Sequence, residues 1–505
     1  MTERVPEFQV IRGGLVLDVE RRSADFRDIL IKGGKIHEVG APGMAAPAGA
    51  VEISARDKLL IPGLVNAHTH GHGSLGKGLG DKWSLELYLS ALAWVGGGCT
   101  LEDKETAAQL NAAEMILKGC TAAYDMYVDF PVVSADTVNL IGRAYENVGV
   151  RAVLAPMMSD KTFYQAIPGL YDAIPEKARN EIVTRAAISA EQHLKACRAM
   201  LHDWPFDRQK IAPALGPTIP LHCSEEFMIG CRDLAREYGV EIQMHLGETK
   251  VQAVSGIERY GKSLTAYIDG LGMLGPNFTG SHCIWLDNDD LRRLRDKGAK
   301  IAHNPGSNMR IGSGIAPARE IIDAGILMGI GSDGSATSDN QNMFEAMRMA
   351  ALVSRVVSAE PDRWLGVWDV LSAATENGAK VLGFAQSGRL SPGYNADIVF
   401  LDLGNINFVP LNSPANQVVF SEDSSAVESV MAGGRMVLQN RRFTSFDYDK
   451  LREKVQRAVQ RLKEVNAATK IKCEAVAEYV MHHCSGLNCS HYAVERRLNY
   501  DPKAV

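Results

Sequence analysis

The chain has 505 residues, 46% hydrophobic and 23% charged, with a formal net charge of −6. That is ordinary globular composition, at a length that can bury a large core in one to three domains. The near-neutral balance argues against a nucleic-acid backbone or an anionic membrane surface as the main partner, and no apolar run reaches the roughly 18 residues a membrane helix needs.

The opening "MTERVPEFQV" has no basic segment leading into a long apolar core, and nine cysteines show no paired framework. Both point to a reducing cytoplasm. Residues 8–60 read as short strands, "FQVIRGGLVLDV" and "DILIKGGKIHEVG", broken by Gly-Gly turns. The same texture returns in "ADIVFLDL" and "AVESVMAGGRMVLQNRRF", so the two ends are expected to share one small sheet domain. Between them eight apolar runs alternate with helix-length segments: "LLIPGLVNAHTH", "CTAAYDMY", "VRAVLAPMM", "IAPALGP", "VEIQMHLGE", "FTGSHCIW", "KIAHNPGS" and "ILMGIGSDG". Continuous apolar runs mark buried parallel strands. Eight such units predict a (β/α)8 barrel, whose active sites gather at the strands' C-terminal ends. Residues 446–505, with "YDKLREKVQRAVQRLKEVNAA", predict a helical tail.

The polar residues that end these runs carry the chemistry. His68 and His70 stand two apart, so both rings share one face of a strand end. Two converging imidazoles are half of a metal site. His72 has the same parity, but Gly71 and Gly73 end the strand before it. His245 ends the fifth run and Asp333 the eighth. Barrel closure sets the eighth strand beside the first, bringing Asp333 against the histidine pair. Asp333 also reads as the N-cap of the helix in "NQNMFEAMRMAALV", a place that Asp339 or Asn340 fits better. Glu248 reads as an acid leaning over a metal or as a first-turn helix acid. His282 reads as an active-site group or as a buried structural histidine.

Together "PGLVNAHTH", "HLGET", "SHCIWL", "AHNPGSNMRIGSGIAP" and "GIGSDGSATSDNQNM" resemble the amidohydrolase superfamily, in order and spacing, over roughly residues 8–445. The nearest branch is the mononuclear-metal one holding S-adenosylhomocysteine/adenosine-type deaminases and s-triazine hydrolases. The resemblance implies an α/β fold: a (β/α)8 TIM barrel (61–385), a small β-sandwich from both termini (1–60 and 386–445) and a helical C-terminal extension (446–505). It implies one Zn²⁺ per subunit, or Fe²⁺, held by His68, His70, His245 and Asp333. It makes Glu248 the proton shuttle and places His282 on the substrate or the attacking water, with Asp333 or His282 taking that water's proton. The fourth run, "IAPALGP", lacks the lysine of binuclear branches. Such an ion lowers the pKa of a bound water from 15.7 to about 7. The implied activity is hydrolytic deamination of a neutral nitrogen heterocycle. Hydrolysis of an amide-, urea- or carbamate-like bond, or dechlorination of a triazine-like ring, are alternatives on the same chemistry. An inactive scaffold of this fold would show eroded ligands, and the ligands here are intact. The expected partners are a small-molecule substrate and further copies of the chain, as a homodimer or larger homo-oligomer, with no nucleic acid and no membrane.

The pattern departs on the substrate side. Nucleoside-processing relatives carry an acid after the first strand that grips the ribose hydroxyls, and a histidine after the fourth. This chain reads Gly96-Gly97-Gly98 and Thr218 there. A ribose would lose its best hydrogen bonds, which argues against an adenosine-type substrate. The loops offer Trp83, Tyr88 and Trp94, then Met157, Phe163 and Tyr164, as walls for a flat, mostly neutral ligand. Asn308 reads as a loop-setting or a substrate-contacting group. "GIERYGKS" matches the P-loop pattern but lacks the preceding strand and the small loop residues. The tail's Cys473, His482, His483, Cys484, Cys489 and His491 fit no standard zinc spacing, so the tail is expected to support subunit contact. No P-C-x-x-C occurs, which excludes the signature of the other large zinc deaminase fold.

Overall fold

A computed structural model describes residues 6–182 and 188–497. Five strands open the chain: β1 (Phe8–Asp18), β2 (Ser23–Lys32), β3 (Lys35–Gly40), β4 (Val51–Ser54) and β5 (Lys58–Pro62). Eight follow, separated by helices: β6 (Leu64–Thr69), β7 (Cys120–Tyr127), β8 (Arg151–Met158), β9 (Ile211–Pro217), β10 (Glu241–Leu246), β11 (Phe278–His282), β12 (Lys300–His303) and β13 (Met328–Ile330). Four more complete the set: β14 (Ile398–Asp402), β15 (Val427–Ala432), β16 (Arg435–Gln439) and β17 (Arg442–Phe443).

Strands β6 to β13 pair in sequence order, all parallel. The ring is drawn shut where the Asp333 N–H donates to the His68 carbonyl at 2.9 Å. Alternate residues of each strand serve two cores. Val65, Ala67, Ala122, Tyr124, Ala155, Ala214 and Ala302 fill the interior. Leu64, Ala123, Leu154, Leu215, Ile242 and Ile301 face the surrounding helices. At the first residues of β10 and β12 a Glu241–Lys300 ion pair (2.6 Å) floors the barrel, leaving the opposite end for chemistry. The helices start where hydroxyl side chains accept an otherwise unpaired N–H, at Ser84, Thr100, Ser134, Ser224 and Thr249; each cap contributes about 1 kcal/mol.

The run "LLIPGLVNAHTH" proves to serve two sheets. It breaks at Gly63, whose backbone passes so close to Thr121 that a side chain there would collide. The residues before the break form β5 of the outer sheet, and those after it form β6 of the barrel. The outer sheet runs β17-β16-β15-β14-β5-β1-β2-β3, with β4 on β1. It folds over on itself: Ile29 and Ile31 share a core with Phe400 and Met431, and Gln9 donates to the Gly434 carbonyl at 2.8 Å. Both ends of the chain thus build one β-sandwich. The tail is helical as expected, in the helices Tyr448–Val465 and Ala467–Cys489; its last eight residues lie outside the described ones.

"GIERYGKS" lies at the C-terminal end of the helix Lys250–Tyr260, not in a strand–loop–helix turn. Among the described residues the tail's cysteines and histidines form no metal-sized group, and no helix is long and apolar enough to cross a membrane.

Candidate metal centre and substrate cavity

His68, His70, His245, His282 and Asp333 converge at the C-terminal mouth of the barrel. Each histidine's Nδ1 is spoken for. That of His70 meets the Met126 carbonyl at 2.7 Å, and that of His245 meets the Thr218 carbonyl at 2.7 Å. A carbonyl only accepts, so these Nδ1 atoms carry the protons and each Nε2 is a bare lone pair. The two Nε2 atoms nevertheless face each other at 3.1 Å. Asp333 Oδ1 lies 3.3 Å from His70 Nε2 and 3.5 Å from His68 Nε2. The buried His68 Nε2 has no hydrogen-bond partner. Four donors about 2.0–2.1 Å from a tetrahedral ion stand about 3.3 Å apart. The three measured edges match that figure, so the residues fit one divalent ion. Burial and the neighbouring His68 lower the His70 pKa to about 4, and burial with His68 and His70 takes His245 well below the usual imidazole range. Both rings are therefore neutral, as ligation requires. Burial alone would raise Asp333, but the surrounding imidazoles hold it well below the usual carboxylate range.

A second layer of bonds fixes these groups. Gln243 accepts from His68 Nδ1 (2.8 Å) and anchors its own amide on the Ala67 carbonyl (3.0 Å). Ser307 (2.6 Å) and Thr337 (3.1 Å) donate to Asp333 Oδ2, leaving Oδ1 toward the histidines. Asp125 accepts from the Gly71 N–H (2.8 Å) and the Tyr145 hydroxyl (2.8 Å), pinning the turn after His70. Asp333 (φ 64°) and His282 (φ 69°) are held in the left-handed region, a strain of about 1–3 kcal/mol each that surrounding contacts must offset. Replacing Gln243 by leucine is expected to weaken metal affinity about 10–100-fold, read by competition with a chromophoric chelator, with the melting profile little changed.

Glu248 is buried, with Oε1 3.7 Å from His282 Nε2. Burial first, then the charges of Asp333 and Glu86, raise its pKa well above the ordinary carboxylate range. It precedes the cap Thr249, so it is not the first-turn acid of the next helix. His282 Nδ1 meets Asn308 Oδ1 at 2.9 Å, and its Nε2 is unpartnered. Asn308 thus orients His282 and does not line the cavity. The N-cap of the helix Met343–Val357 is Asn342, not Asp333, Asp339 or Asn340.

Above this centre lies a cavity of about 320 Å³. Leu85, Tyr88, Leu89 and Leu92, one face of the helix Leu85–Val95, form one wall; Met157, Phe163, Thr218 and Ile219 form another. Of the expected substrate contacts, Met157 and Thr218 line the cavity. Trp83 and Trp94 are not among the lining residues. Trp94 falls half a helical turn away from Leu85, and the two indoles pack edge-on at 6.1 Å. Tyr164 is turned into the core.

Four polar lining residues carry no clear signal in the sequence: His72, Lys161, His193 and His222. His72 is the third histidine of "HTHGHG", beyond the strand end, and its turn delivers the ring to the cavity all the same. His222 lies four residues beyond Thr218, so a histidine does follow the fourth strand, displaced by one short turn. Burial, then Lys161, lowers its pKa to about 4.

The amidohydrolase family model matches residues 59–437. The 5'-deoxyadenosine deaminase of Methanosarcina mazei is 30% identical over 457 residues, covering 90% of this chain and 98% of its own. The 5-methylthioadenosine/S-adenosylhomocysteine deaminase of Thermococcus onnurineus is 32% identical over 433 residues, covering 86% and 94%. Among solved structures, an adenosine deaminase from Xanthomonas campestris with bound zinc has a TM-score of 0.80 at 24% identity, covering 90% of this chain and 98% of its own. An atrazine chlorohydrolase from Arthrobacter aurescens complexed with zinc has a TM-score of 0.79 at 24% identity, covering 89% and 99%. These two likenesses concern the fold, the same barrel and sandwich. The donor set is that of a mononuclear metal centre, and with the family model matched across the barrel and into the returning sheet, the chain belongs to the amidohydrolase family.

Proposed function

We infer that the protein is a zinc-dependent hydrolase that removes an amino group, as ammonia, from an aminated nitrogen heterocycle. The observation that carries this reading is the spacing of the bare imidazole nitrogens and Asp333 Oδ1 at tetrahedral edges (3.1, 3.3 and 3.5 Å), with Glu248 and His282 beside them. Relatives named as deaminases support it, and the ligand set is His68, His70, His245 and Asp333. A divalent ion held there supplies a Lewis acid and lowers the pKa of water to about 7. His282, with Nδ1 tied to Asn308, presents Nε2 to accept the water's proton and then steadies the developing charge. Glu248 gives its proton to a ring nitrogen, takes up the proton of the hydroxyl newly bonded to carbon and passes that one to the amino group, which leaves as ammonia as the C–N bond breaks. The proton held by His282 then returns to Glu248, a role suited to a buried carboxyl. The boundaries near 60, 385 and 445 and a cytoplasmic homo-oligomer belong to the same reading; the described residues hold no disulfide.

The cavity narrows the substrate. Its lining carboxylates are Asp129, Glu248 and Asp333. Asp129 is already engaged by Lys104, the Ser134 N–H and the Thr137 hydroxyl. Among the described residues, no lining carboxylate outside the centre is left to grip ribose hydroxyls. His222 and Lys161, whose ammonium spends one donor on the Cys223 carbonyl (3.1 Å), instead suit an acceptor-bearing substituent on the ring. The missing sugar grip also keeps a second reading in view, displacement of chloride from a triazine.

The test is a panel on zinc-loaded enzyme: 5'-deoxyadenosine, aminopurines, aminopyrimidines, aminotriazines, a chlorotriazine, and simple amides and ureas. Ammonia release from an aminated ring is expected. Turnover confined to chloride release or to acyclic bonds refutes the deaminase reading and leaves the metal centre standing.

A further inference from the structure

The helical extension does more than cover the barrel: it grips the walls of the substrate cavity from behind. We propose that residues 446–497 form a strap that sets the cavity's shape, with Asn466 and His483 as its positioning residues.

The helix Leu85–Val95 gives one face to the cavity, and the extension's helix Ala467–Cys489 packs along it. Where the wall helix ends, Asn466 Nδ2 donates to the Gly97 carbonyl at 2.8 Å. A side chain on Gly97 would set its first carbon 2.9 Å from Asn466 Oδ1, and one on Gly98 (φ +66°) would sit 2.8 Å from Val465 Cγ1. A side chain on Gly97 would meet the Ala93 carbonyl of the wall helix first, and the strap crowds Gly97 and Gly98 further, on the stretch where relatives carry an acid. A second grip falls on the loop after β8. His483 Nε2 donates to the Pro168 carbonyl at 2.8 Å, five residues from the cavity-lining Phe163. A third holds the segments after β11 and β12. There the Tyr492 hydroxyl meets the Trp285 carbonyl (3.3 Å), and the Ile315 N–H meets the Arg496 carbonyl (2.7 Å). The three grips lie behind the loops that follow β6, β8, β11 and β12. The family match ends at residue 437, before the strap begins, so shaping by the strap is a property of this chain that the matched model does not contain.

The test uses the full-length, zinc-loaded protein with Asn466→Ala and His483→Ala. Amide hydrogen exchange, measured without substrate, is expected to quicken about fivefold or more. In the first variant the change falls in residues 85–98, and in the second in residues 162–174, with the barrel strands unchanged. On any ring the wild type turns over, KM is expected to rise roughly tenfold with kcat held within about twofold. Zinc content stays equal to wild type. His483→Gln keeps an N–H donor and restores both readouts. Wild-type exchange in both walls, faster exchange spread through the barrel, or a fall in kcat at constant KM would each overturn the proposal. The exchange arm needs no substrate, so it decides the strap's role even if the deaminase reading fails.

Discussion

Replacing His245 by alanine empties the centre of metal and takes turnover to the background rate while the barrel stays folded. The ion moves the ionisation of water by roughly nine pKa units, about 12 kcal/mol in the supply of hydroxide at neutral pH, and no other group in the cavity supplies that. Three remaining donors do not hold the ion at working concentrations. His245 is the ligand of choice for the experiment because its structural debt is small. The Thr218 carbonyl that accepts from its ring also accepts from its own backbone N–H at 2.8 Å, so the truncation strands no buried acceptor. Ring burial is lost, and the melting temperature should fall by only a few degrees. Metal content by elemental analysis, turnover on the best ring of the panel and a thermal melt read the three effects separately. Dipicolinate treatment of the wild type should abolish turnover, and added zinc should restore it. A metal-free variant with wild-type turnover would remove the basis of the functional reading.

The centre is readable from the chain because each ligand advertises itself locally. Two histidines at strand spacing share a face whatever the tertiary structure, and barrel closure is a topological consequence of eight parallel units. Asn308 is ambiguous in the sequence because its alternatives differ only in which way a buried amide points. The cavity walls are less legible. Trp83 and Trp94 look like substrate platforms on composition, but the helix period, not aromaticity, decides which residues of a wall helix face inward. His222 hides behind Thr218 because a loop can deliver a ring to the same place from four residues on. The triple glycine reads as the loss of a sugar-binding acid. Part of the crowding there comes from Asn466, some 370 residues downstream, and no local pattern reports a contact at that range. The break at Gly63 is hidden for the opposite reason: a single apolar run feeds two sheets without a change in composition.

Glu248→Gln is expected to lower kcat about 1,000-fold, within the range for loss of a positioned general acid–base, with zinc content unchanged and KM little altered. The retained metal separates this variant from the ligand replacement: both are nearly inactive, for different reasons. Glu248 is not a ligand in this geometry. Its Oε1 stands 3.7 Å from His282 Nε2. Glutamine keeps the shape, and the Glu248 backbone N–H keeps its bond to Gln252 at 3.1 Å. What is lost is the proton for the ring nitrogen and the carboxylate that relays a second one, from the attacking water, to the leaving amine. The stability effect has the opposite sign. A carboxyl whose pKa is raised on folding favours the fold below its unfolded pKa, and that contribution fades as pH rises toward the folded value. Glutamine carries no charge to desolvate, so the metal-free variant should melt at or above the metal-free wild type at neutral pH. An inactive variant that is more stable and still zinc-loaded identifies a group kept for chemistry and not for packing. Equal loss of zinc and activity would instead make Glu248 a ligand, and the proton path through it would have to be given up.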